Sequence, residues 1–270
     1  MPRMNYPEPP PLKPKWLAAG GRIRRGGIYW LPNAITTMAL FAGFYAIVQA
    51  MNNRFGLAAV AIFIAMVFDG LDGRVARLTR TQSAFGAEFD SLSDMVSFGA
   101  APGLVIYEWA LKGMGKMGWV AAFVYCACAA LRLARFNTNL AVVDKRYFQG
   151  LPSPAAAGLI AGFVWTMAAF DVEPENIRWA AWALAMFAGL TMVSNVKFYS
   201  GKDINLRKSV PFNVVVMIAL GVVILFYVVD NLPELLFVLF VLYAVSGYVY
   251  WLVTWLHKRR KARPPAPNAP

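Results

Sequence analysis

The sequence predicts an all-α protein, a polytopic membrane bundle of about eight helices with both termini in the cytoplasm, and three observations carry that prediction. Of 270 residues, 59% are hydrophobic and 15% charged, with mean hydropathy +0.51, which leaves too little polar surface to cover a soluble domain. Apolar windows near the length that crosses the hydrocarbon core fall at 31–51, 55–79, 84–111, 117–137, 152–170, 177–196, 209–229 and 232–256. The basic residues alternate from loop to loop, as the positive-inside rule requires of a bundle with an even number of spans.

Taken in order, residues 1–30 form a basic leader without the short apolar core and small-residue cleavage site of a signal peptide. Within it, Trp16, Leu17, Ile23, Ile28 and Trp30 mix with basic side chains, as in an amphipathic surface helix; Gly20, Gly21, Gly26 and Gly27 weaken that reading and leave an unstructured leader as the alternative. Residues 31–257 are one membrane domain without an internal repeat. On the cytoplasmic side lie Lys13, Lys15, Arg22, Arg24 and Arg25, then Arg74, Arg77 and Arg80, Lys145 and Arg146, Lys197, Lys202, Arg207 and Lys208, and Lys258 to Lys261. The opposite loops hold Asn52 and Asn53, Asp171, Glu173 and Glu175, or Asp230 and Glu234, with Arg54, Lys112, Lys116 and Arg178 as basic exceptions. Residues 258–270 read as a disordered basic, Pro-rich tail.

The net charge of +12 is accounted for by topology and by attraction to anionic membrane lipids, so no nucleic-acid partner is expected. Cys126 and Cys128 point in different directions from one apolar helix, and the only histidine is His257, which excludes a zinc site or a disulfide framework.

Chemistry concentrates in the second and third windows. Asp69 and Asp72 are three residues apart and Asp90 and Asp94 four apart, so each pair projects from one helix face. A turn at Arg80 to Ser83, with Ser83 as N-cap, brings the pairs to matching depths in an antiparallel hairpin. Gly73 and Gly86 remove side chains beside that acidic face, where a backbone or a diphosphate can approach; Gly99 and Gly103 are assigned to helix packing. Two carboxylates about 4 Å apart repel by about 4 kcal/mol at an effective dielectric near 20, so four in apolar surroundings call for compensation. Two divalent cations cancel the charge. All-carboxylate ligation selects Mg2+ or Mn2+, or Ca2+ in a roomier site, and two such ions clamp a phosphate and its leaving oxygen. A helix-helix hydrogen bond or proton relay, the ordinary role of a single intramembrane Asp, does not account for four with Arg77 beside them.

The run Asp69-x2-Asp72-Gly73-x2-Ala76-Arg77-x8-Gly86-x3-Asp90-x3-Asp94 resembles the signature of the CDP-alcohol phosphotransferases at every defined position. Pro32-Asn33, the stretch from Arg132 to Asn137 and Gly150-Leu151-Pro152-Ser153-Pro154 further resemble the phosphatidylserine synthases of that family, over roughly residues 28–230. The resemblance implies transfer of the phosphatidyl group of CDP-diacylglycerol to the hydroxyl of L-serine, with release of CMP. It implies metal ligation by Asp69, Asp72 and Asp90, with Asp94 as a further ligand and the base. It implies donor binding by Asn33, Thr36, Gly73, Ala76, Arg77 and Gly86, a homodimer, and a multi-pass protein of the inner (cytoplasmic) membrane whose active site faces the cytoplasm. Arg132 and Arg135 are candidates for the phosphate or the serine carboxylate, against the alternative of snorkelling to the interface; Asn137 either caps its helix or touches substrate. The rival readings are a sister enzyme that uses glycerol 3-phosphate or an inositol phosphate, and a divalent-cation transporter.

Overall fold

The computed structural model describes residues 30–139, 147–199 and 231–261, and these are mostly helical. Residues 1–29 of the leader, the 209–229 window and the last nine residues of the tail lie outside the described residues.

Helices α1 (Trp30–Met51) and α2 (Phe55–Thr79) form an antiparallel hairpin, closed by a turn in which Asn53 takes a left-handed conformation (φ 58°). Ala39, Ala42, Ala46 and Ala50 on α1 recur at helical spacing and are buried, as are Ala58, Ala59, Ala61 and Ala65 on α2. Small side chains let two helix backbones approach closely where lipid, as apolar as leucine, supplies no hydrophobic drive. Helix α2 ends where Arg80 turns left-handed (φ 55°), with its N–H on the carbonyls of Ala76 and Arg77.

The third window is continuous but not uniform. Helix α3 (Ala84–Asp94) is followed by a π-helical stretch, Met95–Ala100, by α4 (Ala101–Ile106), and by a second π-helical stretch, Tyr107–Leu111. Pro102 accounts for the first of these. It has no N–H to give the Phe98 carbonyl four residues back, and its ring crowds that carbonyl, so the ladder widens locally. The freed Phe98 oxygen accepts the Tyr125 hydroxyl instead, at 3.0 Å.

Helix α5 (Lys116–Asn139) packs on this stretch. A Cβ on Gly99 would lie 3.2 Å from the Ala129 Cβ, and one on Gly103 would lie 3.2 Å from the Ala122 oxygen, so both glycines serve close packing. Helix α6 (Ser153–Ala169) is the centre of the bundle, buried from Ala155 through Val164; α7 (Pro174–Val193) and α8 (Leu232–Lys261) lie against it. Two glycines of α6 admit α8: an added Cβ on Gly162 would lie 3.0 Å from the Phe237 Cα, and one on Gly158 would lie 2.6 Å from the Phe240 ring. Because α8 runs to Lys261, the boundary at 257/258 between membrane domain and tail falls inside a helix.

One element departs from the all-α expectation. Strands β1 (Tyr147–Gln149) and β2 (Lys197–Tyr199) pair antiparallel, Phe148 opposite Phe198, and join the end of the α5–α6 connection to the chain after α7. Gly150 follows with φ 79°, and a Cβ there would strike the Met192 oxygen; its N–H donates to the Val196 oxygen at 2.8 Å. Three-residue strands leave too little alternation to stand out in an apolar sequence.

Among the described residues, four helices are long and apolar enough to cross a membrane: Trp30–Met51, Phe55–Thr79, Lys116–Thr138 and Leu232–Leu256. Ser153–Ala169 is apolar but shorter, and the 84–111 segment is divided by its π-helical stretches.

Candidate active site

The last turns of α2 and the first turns of α3 are joined by the Arg80–Ser83 turn, and both pack on α1. The Ser83 hydroxyl caps α3 by accepting the Gly86 N–H at 3.0 Å, which fixes where the third helix begins and therefore which way Asp90 faces. One carboxylate oxygen from each of Asp69, Asp72 and Asp90 lies within 4.8 Å of the others. Asp94, one turn beyond Asp90, meets Asp69 side chain to side chain.

Helix α1 completes the wall. The Thr36 hydroxyl donates to Asp72 Oδ2 at 2.6 Å, and Asp72 is only 5% exposed. Ser93 donates to the Thr36 carbonyl at 3.2 Å and Ser97 to the Ala39 carbonyl at 3.0 Å, so α1 is laced to the helix that carries Asp90 and Asp94. Gly43 permits this approach, since a Cβ there would lie 2.6 Å from the Ser97 Cα. Gly86 has a similar part: its added Cβ would lie 3.1 Å from the Ser83 Oγ and 3.4 Å from the Asn33 Oδ1.

Above the carboxylates opens a cavity of about 560 Å3. Asn33, Thr36, Asp72, Gly73, Ala76, Arg77, Gly86, Asp90, Asp94 and Asn137 all line it. The Arg77 guanidinium folds back over Gly73 and faces Asp72. Asp69 sits behind this lining, against Asp94. Thr81, Gln82, Ser83, Ser91, Leu133 and Phe136, none of them read from the sequence as a site residue, also line the cavity; all occupy spacer positions of the acidic motif or lie on the neighbouring α5.

Neither arginine of α5 is part of that lining. Arg132 Nη1 donates to the Ser153 hydroxyl at 2.6 Å, and Arg135 Nη1 donates to Asn195 Oδ1 at 3.3 Å. Asn137 donates to the Ser91 hydroxyl at 3.0 Å across the mouth of the cavity.

The donor set fits a hard divalent cation. Opposed ligands around Mg2+ stand about 4 Å apart, within the spread of these oxygens, and three anionic groups held together in apolar surroundings favour an ion between them. The cavity beside them, walled by glycines and an arginine, suits a phosphate-bearing ligand.

The model of the family described as CDP-alcohol phosphatidyltransferase matches residues 29–193, which include the whole acidic hairpin and α5 to α7. A Helicobacter pylori protein named CDP-diacylglycerol-serine O-phosphatidyltransferase is 33% identical over 225 residues, 83% of this chain and 92% of its own length. A Methanocaldococcus jannaschii protein of the same name is 32% identical over 227 residues, 83% of this chain and 96% of its own length. One from Saccharomyces cerevisiae is 39% identical over 147 residues, covering 48% of this chain and 52% of itself.

Proposed function

The chain belongs to the CDP-alcohol phosphatidyltransferase family, and we propose that within it this protein transfers the phosphatidyl group of CDP-diacylglycerol to the hydroxyl of L-serine. The observation that carries the reading is the convergence of Asp69, Asp72 and Asp90 beside a cavity whose walls hold Gly73, Arg77, Gly86 and Asn33. The name shared by relatives from a bacterium, an archaeon and a yeast supports serine as the acceptor.

In this reading Asp69, Asp72 and Asp90 hold two divalent ions, Mg2+ or Mn2+, with Asp94 in reach as a further ligand. Bound there, the ions supply charge neutralisation at the transferring phosphoryl group and its leaving oxygen. Gly73, Ala76 and Gly86 leave room for the diphosphate, Arg77 pairs with its oxygens, and Asn33 and Thr36 approach the nucleotide from α1. Asp94 accepts the proton of the serine hydroxyl as its oxygen bonds to the phosphorus that carries the diacylglycerol, and the bond from that phosphorus to CMP breaks. No covalent lipid-enzyme intermediate is formed. Arg132, Arg135 and Asn137 are the acceptor-side candidates; Asn137 lines the cavity, and the two arginines lie outside its lining.

The helices are read as eight spans, with the termini and the active site on the cytoplasmic face of the inner membrane and the chain as a homodimer. The loop distribution of Lys and Arg supports that orientation.

The deciding experiment gives the purified full chain CDP-diacylglycerol and Mn2+ or Mg2+ with serine, glycerol 3-phosphate or an inositol phosphate in separate arms, and measures CMP release. Serine alone should release CMP. Release with another acceptor and not with serine would transfer the protein to a sister activity. Metal flux into vesicles without nucleotide would favour a transporter.

A further inference from the structure

We propose that Ser93 is a positioning residue of the metal centre: through Thr36 it braces α3 against Asp72 of α2, and so holds the carboxylates at a spacing that suits Mg2+ and disfavours the larger Ca2+. The proposal rests on the reading of Asp69, Asp72 and Asp90 as metal ligands. Two hydrogen bonds across three helices make the brace. The Ser93 hydroxyl donates to the Thr36 carbonyl at 3.2 Å, and the Thr36 hydroxyl donates to Asp72 Oδ2 at 2.6 Å. Ser93 sits beside Asp94 and less than a turn from Asp90, so the α3 end of the brace is anchored in the turn that carries the carboxylates. At the other end, Asp72 is one of the three residues whose oxygens lie within 4.8 Å of one another. Any retreat of α3 from α1 changes the gap between Asp90 and Asp72.

Ser93 does this from the wall and not from the substrate side. It is 2% exposed and outside the cavity lining, which takes Asp90, Ser91 and Asp94 from the same turns of α3. A serine inside a helix has an acceptor of its own four residues back, and Ser91 uses it, donating to the Ala87 carbonyl at 3.1 Å. Ser93 crosses to another helix instead. One turn on, Ser97 makes the same kind of bond to the Ala39 carbonyl at 3.0 Å, where Gly43 admits it. That bond ties the same two helices, but its acceptor residue carries only a methyl group and passes nothing on to a carboxylate. Ser97 is therefore the internal control.

The link to ion choice is geometric. Mg2+ requires near-octahedral oxygens at about 2.0–2.1 Å, whereas Ca2+ accepts six to eight at about 2.3–2.6 Å in looser arrangements. A wall that cannot give by a few tenths of an ångström holds the smaller ion and resists the larger one; a slack wall loses that preference. Partners behind the ligands set this stiffness, and their loss costs about tenfold to a hundredfold in metal affinity.

The test is Mn2+ binding to the purified full chain, with CDP-diacylglycerol present and serine absent, read from the paramagnetic resonance signal of free Mn2+ while Mg2+ or Ca2+ competes. Ser93→Ala should weaken Mn2+ binding about tenfold, and Ca2+ should gain on Mg2+ as competitor by about the same factor. Ser97→Ala should leave both within about twofold, while each variant lowers the unfolding midpoint by a similar amount, having lost one buried hydrogen bond. Thr36→Val combined with Ser93→Ala should bind Mn2+ within about threefold of Thr36→Val alone, because both break one brace. Losses that multiply in the double variant, or an equal loss in Ser97→Ala, would overturn the proposal and reduce Ser93 to helix packing. Unchanged Mn2+ binding and competition in Ser93→Ala, with binding lost in Asp90→Asn, would overturn it and leave the metal reading standing. Wild-type protein that binds no Mn2+ would overturn both. Ser93→Cys, close in size with a weakly donating thiol, should shift both quantities in the same direction and keeps the test usable if Ser93→Ala fails to fold.

Discussion

The two halves of α2 make opposite uses of the same helical geometry. From Phe55 to Ala65 the helix carries buried alanines beside α1; from Asp69 to Thr79 it presents carboxylates, a glycine and an arginine, and a cavity of about 560 Å3 stands open. Polar contacts divide along the same line. Thr36, Ser93 and Ser97 lace the bundle together close to the carboxylates, while the alanine half is held by backbone proximity. The difference teaches how a membrane helix carries an acidic site: one half is packed tightly enough to fix the position of the other, which stays open to charge and ligand.

The comparison breaks most visibly if the open half tolerates loss of a carboxylate. Asp90→Asn should lower CMP release about a thousandfold or more, because it removes one of three ligands and charge stabilisation at the reacting centre; near-normal release would remove the metal assignment. Next in size is Thr36→Val, which takes away the 2.6 Å hydrogen bond to Asp72. Loss of such an outer partner costs about tenfold to a hundredfold in metal affinity, read as a rise in the Mn2+ concentration that half-activates the enzyme. An unchanged Mn2+ requirement would show that Asp72 is positioned without Thr36.

Gly86→Ala sharpens the boundary between the halves. The new methyl meets Ser83 and Asn33, so those residues must yield by a few tenths of an ångström. The KM for CDP-diacylglycerol should rise about threefold with kcat kept, a loss of well under 1.4 kcal/mol in donor binding. The smallest effect on turnover is expected from Ala59→Leu in the closed half, where the residue is fully buried. Overpacking should lower stability by about 1–3 kcal/mol, seen as a lower unfolding midpoint in detergent, while turnover per folded molecule stays within about twofold. A large fall in turnover at intact stability would mean the halves are not separable.

The acidic hairpin was legible because its chemistry follows from local spacing: separations of three and four on either side of a turn capped by Ser83 set both face and depth. The windows at 31–51, 55–79, 117–137 and 232–256 were legible for the same reason, apolar runs of spanning length being a local signal. Three features were not. Pro102 is visible in the sequence, but the π-helical response and the hydroxyl of Tyr125 that satisfies Phe98 depend on which helix packs there. The β1–β2 ribbon is too short to leave a pattern. Arg132 and Arg135, three apart on one helix, read alike as anion binders, yet one meets Ser153 and the other Asn195, partners 21 and 60 residues away.

The central claim is that carboxylates from α2 and α3 hold divalent ions in common. Its most direct test is electron paramagnetic resonance of the purified chain titrated with Mn2+ in the presence of a CDP-bearing ligand and no acceptor. The account predicts two bound ions close enough to couple magnetically, with binding lost in both Asp69→Asn and Asp90→Asn. Wild-type protein that binds no Mn2+, or binding that survives both substitutions unchanged, would contradict it.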